Sequence, residues 1–153
     1  MGKTFGSVNE VLDFAIAGEI EASEFYAALA RKMEAPAMKK AFEEFAKEEQ
    51  GHRAKLEAVK RGDYSFGAGA KQVQSLGLAD YLVAEKPSAQ MDYAQALVLA
   101  MKKEKAAFKL YSDLACAAPG GALRDLFLSL AAEEAKHKLR FEVEYDDVVL
   151  QEN

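Results

Sequence analysis

The sequence has 153 residues, of which 50% are hydrophobic and 29% are charged, a composition typical of one globular domain. Its formal net charge of −5 argues against a nucleic-acid-binding surface, which needs clustered Lys and Arg. The single cysteine, Cys116, excludes an intrachain disulfide and any metal site made of cysteines alone.

Proline and glycine residues divide the chain into four long segments with helical periodicity. The first helix is predicted to begin at Ser7, which forms a capping-box pattern with Glu10, and to run to about Met33. Pro36 suits the first turn of a second helix, predicted to end at about Arg61.

The second pair of helices follows a long connection, residues 62–91. Asp92 and Gln95 form another capping pattern, which begins a third helix that must end before Pro119. The fourth helix is predicted from about Ala122 to about Tyr145. Within the connection, YSFGAGAKQVQSLG predicts a loop and LADYLVAEKP a short helix.

No segment shows convincing β alternation, so the predicted fold class is all-α. Two helix hairpins, about 8–61 and 92–146, form one domain over residues 1–153, and they are joined by the crossover 62–91. An antiparallel four-helix bundle with one long crossover is the ferritin-like type.

Each predicted helix carries an apolar seam with 3/4 spacing, and a glutamate interrupts every seam near its middle. Two of the seams also contain the only histidines of the chain. A buried carboxylate is costly unless it pairs with a cation or binds a metal, and no Lys or Arg stands at the centre of a seam. The six residues are Glu19, Glu49, His52, Glu104, Glu134 and His137.

Four carboxylates and two neutral imidazoles would balance the charge of two divalent metal ions. Oxygen-rich ligation with one imidazole per metal favours iron or manganese, and it also admits zinc. The competing interpretations are solvated surface charges or a metal-free, hydrogen-bonded core.

An internal repeat strengthens the metal interpretation. Glu104 lies 85 residues after Glu19, and the same offset relates several other pairs. These pairs are Tyr26 with Tyr111, Glu49 with Glu134, His52 with His137, and Phe42 with Phe127. The repeat indicates a duplicated helix hairpin, with its candidate ligands in pseudo-twofold symmetry.

Four segments resemble helices of the rubrerythrin family of ferritin-like di-iron proteins, in the branch without a rubredoxin domain. They are GEIEASEFYAALA, FAKEEQGHRAKLE, MKKEKAAFKLYSDLA and LAAEEAKHKLRFE. The resemblance implies one role for each pair of residues. Glu19 and Glu104 would be terminal ligands, Glu49 and Glu134 would bridge the metals, His52 and His137 would each bind one metal, and Tyr26 and Tyr111 would orient the carboxylates by hydrogen bonding.

The same resemblance implies a di-iron oxidoreductase that reduces hydrogen peroxide or dioxygen, in protection against oxidative stress. Since a rubredoxin module needs four cysteines, electrons are expected from a separate donor protein such as a rubredoxin. Ala107 stands where rubrerythrins with that module carry an extra carboxylate, so their peroxidase mechanism cannot be carried over as it stands. A homodimer is expected as well.

Two other functions stay open at this point. One is ferritin-like iron binding, with Fe(II) oxidation and storage. The other is a metal-free helical interaction module. No apolar stretch approaches the ~20 residues of a membrane span, and no signal-peptide core is present, so we expect a cytoplasmic protein that binds neither membrane nor nucleic acid.

Overall fold

The computed structural model describes residues 2–152, and no β-strand occurs among them. The predicted all-α class is therefore confirmed. No helix in this range is long and apolar enough to cross a membrane. The five α-helices are α1 (Val8–Lys32), α2 (Pro36–Arg61), α3 (Ala70–Gln74), α4 (Tyr93–Ala117) and α5 (Gly121–Glu152), and 3₁₀ turns occupy Gly67–Gly69 and Leu78–Tyr81.

Helices α1 and α4 begin at the capping residues that the sequence predicts, and α2 begins at the predicted proline. Ser7 Oγ accepts a hydrogen bond from the backbone N–H of Glu10 at 3.1 Å. A full capping box starts α4, because Asp92 Oδ1 accepts from Gln95 N at 2.7 Å while Gln95 Oε1 accepts from Asp92 N at 2.9 Å. Pro36 is the first residue of α2. An N–H at that position has no hydrogen-bond partner within the helix, so its absence in proline costs no intrahelical bond.

The last helix runs past its predicted end near Tyr145 and continues to Glu152. Residues 146–152 contain neither Pro nor Gly, so nothing in the sequence terminates the helix there. The hydroxyl of Tyr93 also donates to Glu144 Oε2 at 2.7 Å, which fixes this end of α5 against the start of α4. Burial, followed by this hydrogen bond, raises the pKa of Tyr93.

The chain divides into two compact units: the first is Thr4–Leu76, and the second is formed by the residues from Gly77 onward together with those before Thr4. In the first unit, α1 and α2 form an antiparallel hairpin. Lys60 Nζ lies 2.6 Å from Asp13 Oδ1, and further along the pair Ser23 Oγ donates to Ala46 O at 3.0 Å. As residue numbers rise along α1, those of the contacting residues fall along α2.

The second unit holds the other hairpin, formed by α4 and α5. Tyr93 meets Glu144 at one end, and the rings of Tyr111 and Phe127 stack at 6.3 Å between centroids further along. These contacts also run in opposite directions along the two helices. Each short turn that follows α1 or α4 therefore closes an antiparallel helix pair.

The first part of the connection folds against the first hairpin. It contains α3 where the sequence predicts only a loop, because Val73 is fully buried and α3 contacts α1. Backbone bonds from Phe5 N to Leu76 O and from Gly6 N to Gln74 O tie this segment to the residues before α1.

The second part of the connection is held to α4 by one tyrosine. The Tyr81 hydroxyl donates to Asp113 Oδ2 at 2.7 Å, and Lys109 Nζ lies 5.0 Å from the centre of the Tyr81 ring. Burial, together with this hydrogen bond, raises the pKa of Tyr81. The short helix predicted in LADYLVAEKP is a 3₁₀ turn that ends at Tyr81.

Two glycines inside helices, Gly18 and Gly51, lie on exposed faces. A Cβ added at either position would meet nothing within 4 Å apart from its chain neighbours and the nearby backbone of its own helix, so a close approach of another helix does not explain them. Gly62 is different, since it ends α2 with φ of +99°, in the left-handed region that favours glycine.

We therefore predict opposite effects of alanine at these positions. Gly18→Ala and Gly51→Ala should each raise the free energy of unfolding by about 0.5–1 kcal/mol, because alanine loses less backbone entropy in a helix. Gly62→Ala should lower it by about 1–2 kcal/mol, because a Cβ is strained at positive φ. Urea titration of the metal-free proteins measures all three. A destabilised Gly18→Ala would mean that this glycine has a structural role.

Candidate metal centre

The first hairpin brings three of the predicted ligands together. Glu19 lies in the apolar seam of α1, while Glu49 and His52 lie three residues apart in α2 and so share one helix face. The three side chains are only 1–2% exposed. One ligand atom from each lies within 4.8 Å of the other two.

The distances within this triad exceed those of ordinary hydrogen bonds. His52 Nδ1 lies 3.6 Å from Glu19 Oε2 and 3.4 Å from Glu49 Oε1. In a zinc site, where Zn–N and Zn–O distances are about 2.0–2.2 Å, two ligand atoms at a tetrahedral angle lie about 3.4 Å apart. The spacing of these atoms is therefore that of ligands around one ion.

The second hairpin builds the same arrangement. Glu104 lies in the seam of α4, and Glu134 and His137 lie three residues apart in α5. All three are 1–2% exposed, and one ligand atom from each again lies within 4.8 Å of the others. His137 Nδ1 lies 3.6 Å from Glu104 Oε1, as His52 does from Glu19.

The donor atoms of both triads fit a metal ion. Each triad offers carboxylate oxygens and an imidazole Nδ1 and contains no sulfur, a set that suits iron, manganese or zinc. Within the described part of the chain, no hydrogen bond reaches either Nδ1 or one oxygen of each glutamate, although all six residues make other interactions. Burial places these charges away from water, where a cation stabilises them.

The predicted supporting tyrosines also occupy equivalent positions. Tyr26 is fully buried and stacks on Phe42 at 6.3 Å between ring centroids, and Tyr111 stacks on Phe127 at the same distance. The repeat seen in the sequence is therefore a repeat of packing as well as of residue type. Whether the two hydroxyls orient the carboxylates stays a prediction.

Neighbouring residues follow the seams less regularly. Glu48 is exposed and Glu133 half-buried, so both lie off the buried seams, as their helical direction predicts. Ala46, not Phe45, is the buried residue of the α2 seam. Ala107 is partly exposed, and Cys116 is exposed. Apart from the six candidate ligands, Ser23 is the one polar residue that is buried among the described residues, and its hydroxyl donates a hydrogen bond to Ala46 O.

Comparison with protein families gives one decisive match. The sequence model described as rubrerythrin matches residues 10–64 and 95–153, about three quarters of the chain, including both triads. The chain belongs to the rubrerythrin family. No curated protein and no solved structure matches it. The unmatched residues 65–94 form most of the connection between the hairpins.

Membership of this family agrees with the ferritin-like fold class and with a di-iron carboxylate site. The buried Glu and His side chains could hold a metal, and the match includes all of them. The family match therefore agrees with a metal site formed by buried Glu and His side chains.

Metal binding should stabilise the fold. A ligand present at about 100 times its Kd stabilises the native state by about 2.7 kcal/mol. For a chain of this size, that corresponds to a Tm increase of about 5–10 °C. We expect Mn(II) or Zn(II) to raise the Tm of the wild-type protein by this amount in a thermal melt followed by circular dichroism.

Removing one carboxylate provides the control for this measurement. Glu19→Gln or Glu104→Gln should raise the Tm of the metal-free protein, because a buried negative charge is lost, and should reduce the increase that metal produces. An undiminished increase in both variants would place the metal elsewhere.

Proposed function

We propose that the two triads together hold two iron ions and that this rubrerythrin reduces hydrogen peroxide with electrons from a separate donor. The observation that carries the proposal is the pair of equivalent, buried Glu–Glu–His triads in a chain of a di-iron carboxylate family. Protection against oxidative stress would follow from this activity.

Charge supports two ions rather than one. Four carboxylates carry four negative charges, and the two imidazoles are metal ligands only when neutral. Two divalent ions balance that charge, whereas one ion leaves two buried negative charges without compensation. By the family resemblance, Glu49 and Glu134 would be bridging ligands, Glu19 and Glu104 terminal ligands, and His52 and His137 would each hold one ion.

Two ferrous ions held by these six residues would supply the two electrons needed to convert one hydrogen peroxide and two protons into two molecules of water. The chain contributes the geometry and the dry surroundings. The i,i+3 spacing of Glu49 and His52 fixes two ligands on one rigid helix face, and the apolar seams exclude bulk water from them. Carboxylates bind in bridging or terminal modes, so the same residues tolerate a change in the charge of the metals.

The electron donor is proposed to be a separate protein such as a rubredoxin. The described sequence has one cysteine, Cys116, which cannot supply the four sulfur ligands of a rubredoxin iron. This composition supports a donor that carries its own redox centre.

The experiment that tests the proposal is anaerobic loading with Fe(II), followed by separate addition of hydrogen peroxide and dioxygen. We expect two irons per chain and faster oxidation by peroxide than by dioxygen, measured by stopped-flow absorbance. Faster oxidation by dioxygen, with iron retained as a ferric mineral, would favour the ferroxidase and storage function instead. No bound iron would eliminate both.

Single substitutions separate bridging ligands from terminal ones. Glu49→Ala and Glu134→Ala should each lose paired binding of both irons, because a bridging carboxylate belongs to both sites, whereas His52→Ala should retain about one iron per chain. Glu48→Ala and Glu133→Ala, one residue away and off the seams, are the matched controls and should keep two. Unchanged iron content in Glu49→Ala would contradict the bridging role.

A further inference from the structure

The second hairpin carries an exposed apolar stripe along α5. Its four residues are spaced by four, three and four positions, so they share one helix face. The two leucines are large and well exposed, at 50% and 61%, and the two alanines between them are also exposed. We call this set the α5 stripe: Leu128, Ala132, Ala135 and Leu139.

The first hairpin provides an internal comparison for this surface. Three of the four residues that lie 85 positions earlier are polar, and all four are exposed in α2. These counterparts are Glu43, Lys47, Gln50 and Ala54. The same surface of the same repeated unit is therefore polar in one copy and apolar in the other.

The neighbouring helices differ in the same way. In the first hairpin, Ser23 is buried and accepts a hydrogen bond from Gln50 at 3.2 Å. The residues equivalent to these two are Phe108 and Ala135, and Phe108 is 42% exposed. A polar interaction in one hairpin thus corresponds to an exposed aromatic ring and a methyl group in the other, which indicates a surface that a partner covers.

The order of the stripe indicates that the partner is a second copy of the chain. Leu, Ala, Ala and Leu read the same in both directions, with the centre between residues 133 and 134. Two antiparallel α5 helices related by a twofold axis at that centre would pack Leu128 of each copy against Leu139 of the other. The small alanines at the centre permit a helix separation at the short end of the usual 8–10 Å.

Charges near the stripe favour this antiparallel direction. Asp146 continues the line of the stripe seven residues after Leu139, and it would lie over Gly121, the first residue of α5 in the other copy. A carboxylate is stabilised at a helix N-terminus, whereas parallel helices would place Asp146 against its own equivalent.

An Arg–Glu pair favours one register of the two α5 helices. Arg124 and Glu142 lie on the same flank of the stripe, nearly the same distance from its centre, and would meet across the antiparallel interface. Within one copy, Arg124 Nη2 donates to Ala118 O at 2.8 Å, and Glu142 Oε1 lies 3.2 Å from Lys138 Nζ. Neither of these contacts involves a residue of the α5 stripe.

We propose that the α5 stripe is the interface of a homodimer in which two α5 helices pack antiparallel across a twofold axis. This inference does not depend on the metal centre. It identifies a surface on the second hairpin alone, and each copy contributes the same residues to it.

The test is sedimentation velocity on the metal-loaded, full-length chain. The mass derived from the sedimentation of the wild type should be about twice the chain mass of 16.7 kDa. The triple variant L128E/A132K/A135Q carries the residues of the first hairpin at the same positions, so the helix should tolerate them. We expect it to weaken dimerisation by about 100-fold or more, because every substitution occurs twice across the interface.

A matched pair of single substitutions controls for added charge. Leu139→Glu should weaken the dimer, whereas Ala54→Glu, at the equivalent exposed position of α2, should leave it unchanged. Far-UV circular dichroism and iron content should match the wild type in both variants, which shows that folding and metal binding are intact.

A charge exchange tests the direction of packing. Arg124→Glu and Glu142→Arg should each weaken the dimer, and R124E/E142R should restore it. Parallel helices would give no such rescue, since each residue would then face a different partner. A monomeric wild type overturns the proposal, and so does a dimer that survives the triple variant, as a dimer formed by exchange of helix hairpins would.

Discussion

The rest of this structure depends on the burial of charge. Each helix hairpin places two carboxylates and one imidazole in a seam that is otherwise made of residues such as Leu12, Phe42 and Leu130. Removing such groups from water costs several kcal/mol per charge unless an opposite charge compensates it. In the proposed centre, the stability of each hairpin would be linked to the cation at its triad, so that metal binding and folding would form one coupled equilibrium.

The two copies of the internal repeat agree in their buried residues and differ in their exposed residues. Inside, the two copies agree down to the stacking of Tyr26 on Phe42 and of Tyr111 on Phe127. Outside, they have diverged, as Gln50 and Ala135 show. Duplication gave the chain two copies of one ligand set, and the exposed faces were then free to acquire different contacts.

Much of this could be predicted from the sequence, because the strongest signals are local. Capping residues such as Asp92 specify where helices begin, and 3/4 spacing specifies which residues are buried, including Glu19 and His137. The connection was predicted less well, because Val73 and Tyr81 are held by contacts with α1 and α4 that no local pattern shows. The extent of α5 was underestimated, since nothing in the sequence marks the end of a helix that lacks a breaker. That both triads share one dinuclear centre stays a prediction, made from the internal repeat and the family resemblance.

The chemistry of the donor atoms has a consequence for durability. A thiolate ligand exposed to peroxide is converted stepwise to sulfenic, sulfinic and sulfonic acids, and the later steps destroy its capacity to bind metal. Both triads use oxygen and nitrogen alone, and the one sulfhydryl of the chain, on Cys116, is exposed at the surface. Oxidative damage to that thiol would leave the six candidate ligands chemically intact, so the proposed centre would not depend on a sulfur atom that its oxidant can destroy.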